Sequence, residues 1–558
     1  MRITDTSDLW WKTAVIYCLD VETFMDWNGD GIGDFEGLSH RVDYLADLGV
    51  TCIWLMPFFP TPDRDDGYDI VDYYSVDPRL GTLGDFVEFV RTANDRGIRV
   101  IADLVVNHTS DQHPWFKSAR SSKNSPYRDY YVWRSDKPPD TSEEVVFPGE
   151  QEGIWEYDEK TGEYYQHRFY KHQPDLNVAN PEVRDEIARI MGFWLQLGLS
   201  GFRVDAVPFF LESLGTGDDE GEYGDSHDYL RALRSFLGRR AGEAIMLGEV
   251  AVPYEEQVAY FGGPDGDELT LQFDFEAMNQ LYLALARHDA RPLAEVLRRR
   301  PEISRESQFA TFVRNHDELT LQLVSDDERQ EIFDAFGPEE RMQIYGRGLV
   351  RRLPPMLAGD PRRIRMVYSL AFSMPGTPVL YYGEEIGMGE NLDADGRHAV
   401  RTPMQWTSER NGGFSMAKPS KLPNPVVEGG FSPEHINVEN QRHDTDSLLT
   451  FISMLIRRYR ESPEIGWGEY EILDQPYDHV LAHRCSWRES SIVVMHNFAA
   501  EPCVVPLELK IDNGATTLSD LLGPDAYRLD DAGRVEVPLD GYGYRWLRVV
   551  GSNELRLG

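Results

Sequence analysis

Eight short apolar, β-branched runs constrain this chain more than any other feature. They fall at residues 14–21, 50–58, 99–106, 201–207, 244–250, 271–275, 309–315 and 377–382. Between them lie amphipathic stretches such as 35–48, 83–96, 181–197 and 227–241, whose apolar residues recur at helical spacing. Strands alternating with helices imply parallel pairing. Eight such units fit a closed (β/α)8 barrel, an α/β fold, with an open doubly wound sheet as the rival. At 558 residues the chain is too long for one ordinary core, so a large barrel with further domains is expected.

The alternation breaks twice. Residues 109–178 are rich in Tyr, Trp, Pro and charge without helical period, and read as a subdomain inserted after the third strand. Beyond residue 460 the pattern becomes short alternating runs at 491–496, 503–509 and 542–549 between Gly and Asp turns. This is the pattern of antiparallel β-structure. The expected division is a barrel from 1–108 and 179–460, an inserted subdomain at 109–178 and a C-terminal β-sandwich at 461–558.

Composition narrows the partners. The formal net charge of -39 argues against nucleic acid or an anionic membrane and favours a neutral or cationic small molecule. No apolar run approaches the roughly twenty residues of a membrane span, and the N-terminus lacks the basic-then-apolar order of a secretion signal. Cys18, Cys52, Cys485 and Cys503 have no C-x-x-C spacing. They read as buried thiols in a reducing cytoplasm, not as a disulfide frame or zinc site. A homo-oligomer stays open.

A barrel of this kind forms its active site at the C-terminal ends of the strands. The third run ends in "DLVVNH" (103–108), the fourth is "GFRVDAV" (201–207), the fifth ends in "LGEV" with Glu249, and the seventh ends in "VRNHDE" (313–318). Ionisable groups in apolar strand sequence are costly unless paired or functional. One alone is more often a structural ion pair; four together point to a site. A separate stretch, "DWNGDGIGD" (26–34), packs three carboxylates and an amide into nine residues. It opens like an EF-hand, but position twelve is Gly37 where a bidentate Glu should stand. Either a hard cation or a turn rich in Asn-Gly and Asp-Gly accounts for it.

These four strand-end segments resemble, in order and spacing, the four signature regions of the α-amylase superfamily, glycoside hydrolase family 13. Further likeness lies in "DDGYDI" (65–70), "NHTSDQHPWF" (107–116), "HQPDLN" (172–177) and "VRTPMQW" (400–406). The stretch 346–364, "GRGLVRRLPPMLAGDPRRI", is similar to the trehalose synthase branch, whose members isomerise maltose to trehalose. The resemblance implies a retaining mechanism through a covalent glucosyl-enzyme, with Asp205 as nucleophile, Glu249 as acid/base and Asp317 as third carboxylate. It implies that Arg203 keeps Asp205 ionised, that His108 and His316 hold sugar hydroxyls and that Tyr68 stacks on the sugar. It also implies that Asp69 and Arg401 close the non-reducing end.

Two structural Ca2+ ions and no organic cofactor follow from the same resemblance. One would take Asp26, Asn28, Asp30, the Ile32 carbonyl and Asp34. The other would take Asn107, Asp175, the carbonyls of Phe209 and Phe210, and Glu212. The substrate implied is a small α-glucoside of the maltose and trehalose class. Two departures, "GEVAV" (248–252) where "AEANQ" is expected and "LDVETF" (19–24) where the branch carries "VRSF", bear on acceptor specificity. A plain α-glucosidase, a transglucosylase with another acceptor, and an inactive scaffold homologue are the alternatives.

Overall fold

The computed structural model describes residues 9–212, 226–510 and 515–551. All eight expected strands form: β1 Ile16–Leu19, β2 Cys52–Leu55, β3 Arg99–Leu104, β4 Gly201–Val204, β5 Ile245–Gly248, β6 Leu271–Phe273, β7 Gln308–Phe312 and β8 Thr377–Tyr381. They close into a barrel in the order β1-β8-β7-β6-β5-β4-β3-β2. Ile16 faces Cys52 of β2 on one side and Val379 of β8 on the other, both in parallel register, so the open-sheet rival is excluded. Apart from Arg99, every residue of these strands is buried, as helices outside and side chains inside require.

Local signals set the helix starts. Asp34 caps Phe35–Leu48 by accepting from Gly37 N, and Gly49 ends that helix at φ 99°, where a Cβ would be strained. Thr82 and Asp85 form a capping box on Leu83–Asp95. Asn180 caps Pro181–Gln196, with Pro at its first position.

The inserted segment carries three short antiparallel strands, Trp133–Arg134, Trp155–Asp158 and Glu163–Gln166. They pack around Phe116, whose ring stacks on Trp133 with centroids 5.8 Å apart. Leu176 N donates to Asn107 O at 2.8 Å, fastening the end of the insertion to the end of β3.

The C-terminal region forms a six-stranded antiparallel sheet and a two-stranded one, Cys503–Glu508 with Arg534–Leu539. The period of two divides its work. Val493 and Met495 join Val505 and Val537 in a second core, while Ile492 and Val494 turn to the barrel and join the main core. Trp546 is fully buried at this junction, and its Nε1 donates to Ser369 Oγ at 3.0 Å. All four cysteines are free thiols. Among the described residues no helix is long and apolar enough to cross a membrane.

Trp546→Ala is expected to cost about 3–5 kcal/mol through the cavity it leaves. Thermal unfolding should show a lower Tm, and a Tm unchanged within error would mean the C-terminal sheet is not held by this contact.

Candidate active site

Arg203 organises the catalytic end of the barrel. Arginine two residues before Asp205 on β4 lies on the same face of the strand. Its guanidinium is fully buried and donates to Asp103 Oδ1 at 2.6 Å and Glu249 Oε2 at 2.6 Å, and it also pairs with Asp205. Asp103 takes a second hydrogen bond from Trp54 Nε1 at 2.7 Å. One guanidinium fork thus holds Asp205 and Glu249 side by side. Such close pairing suits the roughly 5–5.5 Å spacing of a retaining pair. Ala206, directly after Asp205, has φ 49°, and this left-handed turn sends its N–H to Glu249 Oε2 at 3.2 Å. A non-glycine residue held there is backbone strain at a functional position.

The carboxylates are unequal. Burial pushes Asp205 up to about 6, against the opposing pull of Arg203. Burial pushes Glu249 further, to about 7, with Arg203 again opposing and the Asp205 charge adding to the rise. Burial acts on Asp317 in the same direction, but the charges of Arg397 and Arg401 outweigh it and hold its carboxyl well below the usual range. The site therefore contains a permanent anion, an ionisable carboxylate and a group able to carry a proton near neutral pH.

Histidines and tyrosine complete the floor. Burial keeps both His108 and His316 neutral. His316 Nε2 shares a hydrogen bond with Tyr68 Oη at 2.7 Å, and the two rings lie parallel with centroids 5.6 Å apart. His108 Nε2 lies 3.2 Å from Tyr68 O. Tyr68, His108, Asp205, Glu249 and Asp317 all line one cavity of about 270 Å³.

One expected pairing differs. Arg401 does not meet Asp69. Its Nη1 contacts Asp66 Oδ2 at 2.6 Å, its Nη2 contacts Asp317 Oδ1 at 3.0 Å, and its Nε donates to His316 O at 2.8 Å. Asp69 is instead occupied by its own loop, accepting from Thr61 Oγ1 at 2.8 Å and from the amides of Arg64 and Asp65 at 3.2 Å. Asp66, with φ 50°, meets Arg401 instead. Asp65, one residue earlier, lines the cavity. The quoted "DDGYDI" contained all three acids, and spacing alone did not separate them.

Arg397 was missed altogether. It bridges Asp317 Oδ1 at 2.8 Å and Glu318 Oε2 at 2.6 Å and lies over the rings of Phe147 and Tyr345. Its place four residues before Arg401 in "GRHAVRTPMQW" is the only sequence signal. The "LDVETF" departure places Asp20 and Glu22 with carboxylate oxygens within 4.8 Å of that of Asp66, behind Arg401. Glu22 is answered by Arg79 at 3.2 Å.

The two residue sets expected to hold cations offer all-oxygen donors, the chemistry of a hard divalent ion. In the first, Asp26 accepts from Gly29 N at 2.7 Å and Gly31 N at 2.9 Å, Asn28 from Asp30 N, Asp30 from Ile32 N, and Asp34 from Trp27 N at 3.1 Å. Carboxylate and amide oxygens retain lone pairs beyond these bonds, so the donor set fits. In the second, Asn107 Nδ2 donates to Asp175 Oδ1 at 3.1 Å while Asn107 Oδ1 is buried without a partner. A buried carbonyl oxygen with no donor is where a cation fits. Phe209 and Phe210 lie in the short helix Val207–Glu212, and the side chain of Glu212 lies outside the described residues.

The geometry agrees with comparison to known proteins. The model of the alpha amylase catalytic domain matches residues 18–335 and 351–468, and the chain belongs to that family of glycoside hydrolases and transglycosylases. A sucrose hydrolase-like C-terminal domain matches 490–548. The trehalose synthase of Pimelobacter sp. (strain R48) is 38% identical over 97% of this chain and 96% of its own. The oligo-1,6-glucosidase of Parageobacillus thermoglucosidasius is 31% identical over 89% of this chain and 92% of its own. Among solved structures, the alpha-amylase from H. orenii superposes with a TM-score of 0.77 at 28% identity, covering 97% of this chain and 100% of that one.

With Asp205 as nucleophile and Glu249 as acid, as the sequence leads one to expect, activity requires Asp205 ionised and Glu249 protonated. The rate should therefore rise with pH as Asp205 loses its proton near 6 and fall as Glu249 loses its own near 7. A kcat/KM profile on p-nitrophenyl α-glucoside that stayed flat from pH 5 to 8 (a range of about three units spanning both groups) would contradict this assignment. Glu249→Gln should lower turnover of maltose by about 10²–10⁴ and that of activated aryl glucosides by much less. Equal losses on both would remove Glu249 from the acid role.

Proposed function

We propose that this protein is a retaining α-glucoside-active enzyme that isomerises maltose to trehalose through a glucosyl-Asp205 ester. The observation that carries this reading is the roof over the cavity. An isomerase must keep the freed glucose beside the ester while it turns and re-attacks through its anomeric hydroxyl, with bulk water as the competitor. Here the insertion and the segment after β7 meet beside the cavity, at Phe147, which lines it. Tyr170 Oη and Tyr345 Oη lie 3.1 Å apart, and Phe147 packs on Tyr170 at 4.6 Å and Tyr345 at 4.8 Å. The trehalose synthase relative, matched nearly end to end, supports the same assignment.

Each residue has a task in that reaction. Asp205 attacks the anomeric carbon while Glu249 gives its proton to the glycosidic oxygen. Arg203 keeps both carboxylates positioned, and Asp317, held by Arg397 and Arg401, grips the hydroxyls of the glucose being transferred. The second glucose then returns through its anomeric oxygen and gives its proton back to Glu249. All three carboxylates line the cavity, which counts against the inactive scaffold. An α-glucosidase is the second reading, favoured by Ala251 and Val252, which offer the leaving glucose no polar side chain.

Incubation with maltose should give mainly trehalose with minor glucose, read by chromatography. Glucose as sole product, even at high maltose, would replace the isomerase with an α-glucosidase. Tyr345→Ala, which opens the roof, should raise the share of glucose.

A structural Ca2+ on Asp26, Asn28, Asp30, Ile32 and Asp34, and another on Asn107 and Asp175, belong to the same reading. Both would fasten long loops whose closure costs entropy. Chelation should lower Tm by several degrees and leave kcat at 25 °C (about the usual assay temperature) little changed. An identical Tm with and without chelator would dismiss both ions.

A further inference from the structure

The end of the barrel opposite the carboxylates holds a second cavity, of about 1080 Å³, large enough for a small molecule. It lies where the chain enters the strands: Lys12 precedes β1, Gln308 begins β7 and Pro375 precedes β8. Its outer wall comes from the C-terminal region. There Trp467 and Trp487 lie with ring centroids 5.4 Å apart.

The charge of this cavity runs against that of the chain. The formal net charge is -39, yet Lys12, Arg298, Arg300, Arg305 and Arg488 reach the cavity against Glu302, Glu469 and Glu471. Arg300 is answered by Asp274, and Arg298 lies 3.5 Å from Asp474. Lys12 and Arg488 form no ion pair among the described residues. Lys12 is only 6% exposed, and its Nζ donates to Ser307 O at 2.6 Å. Burial, aided by the charge of Arg305, pushes its ammonium down to about 8. Arg300 Nε is buried without a partner.

The indoles gather these cations. Lys12 Nζ lies 5.7 Å from the Trp467 centroid, and Arg488 lies 5.3 Å from that of Trp487. Arg305 lies 5.7 Å from the first ring and 5.5 Å from the second. Attraction to a ring face holds each cation singly and leaves their mutual repulsion in place. An anion set among them removes it. A phosphate monoester brings roughly two negative charges and three acceptor oxygens, which lysine and arginine donors match.

We propose that this cavity binds the phosphate monoester of a small ring-bearing molecule, a sugar phosphate or a nucleoside monophosphate. The phosphate sits among Lys12, Arg305 and Arg488, and the ring of the ligand lies beside Trp467 and Trp487. The site is separate from the catalytic cavity, and nothing in its occupation depends on which α-glucoside is turned over.

Isothermal titration calorimetry on the whole protein tests this with glucose 6-phosphate, AMP and inorganic phosphate. Glucose and adenosine serve as the uncharged counterparts. At least one ester should bind about tenfold more tightly than both its uncharged counterpart and inorganic phosphate, and the tighter ester names the source. Arg488→Glu, a charge reversal on an exposed side chain, should weaken that binding by about tenfold or more. Lys12→Met should do the same, and Arg488→Glu decides alone if that buried substitution does not fold. Esters that bind no better than inorganic phosphate overturn the inference. So does ester binding unmoved by Arg488→Glu, which would place the ligand in the catalytic cavity instead.

Discussion

The buried guanidinium of Arg203 is the constraint on which the rest of the site depends. It stands inside a barrel closed on all sides, in contact with Asp103, Asp205 and Glu249. Three carboxylates around one cation cannot all be ionised comfortably in a dry interior, where like charges repel strongly and desolvation disfavours every anion. The protein resolves this by degree. Asp205 and Glu249 are raised unequally, and Asp317 is held low by two further arginines.

The second constraint is exclusion of water. A glucosyl ester is open to whatever nucleophile reaches it, so the outcome depends on the roof more than on the carboxylates. Two segments far apart in sequence, around Phe147–Tyr170 and around Tyr345, supply that roof through ring packing and one tyrosine pair. Side-chain contacts of this kind open and close more readily than a barrel strand can move.

On the acceptor side the arrangement is amphipathic. Ala251, Val252 and aromatic rings line the cavity, while the arginines and Glu318 satisfy one another. Specificity there arises from which polar groups are left unpartnered, and such a balance can be shifted by one substitution in the wall.

Much of this molecule is legible in its sequence. The period of two against 3.6, the caps at Asp34, Thr82 and Asn180 and the ionisable residues at strand ends determine the eight units and place Asp205, Glu249, His108 and Asp317 on one rim. These are local rules, and they act within a few residues. What only the tertiary structure decided is which of several similar acids meets which arginine. Asp65, Asp66 and Asp69 lie within five positions, yet one lines the cavity, one pairs with Arg401 and one is absorbed by its own loop. Arg397 is marked in the sequence only by its place four residues before Arg401, because its partners at Asp317 and Glu318 lie some eighty residues away. Pairing across the barrel depends on closure of the whole sheet, and no periodicity in the chain encodes it.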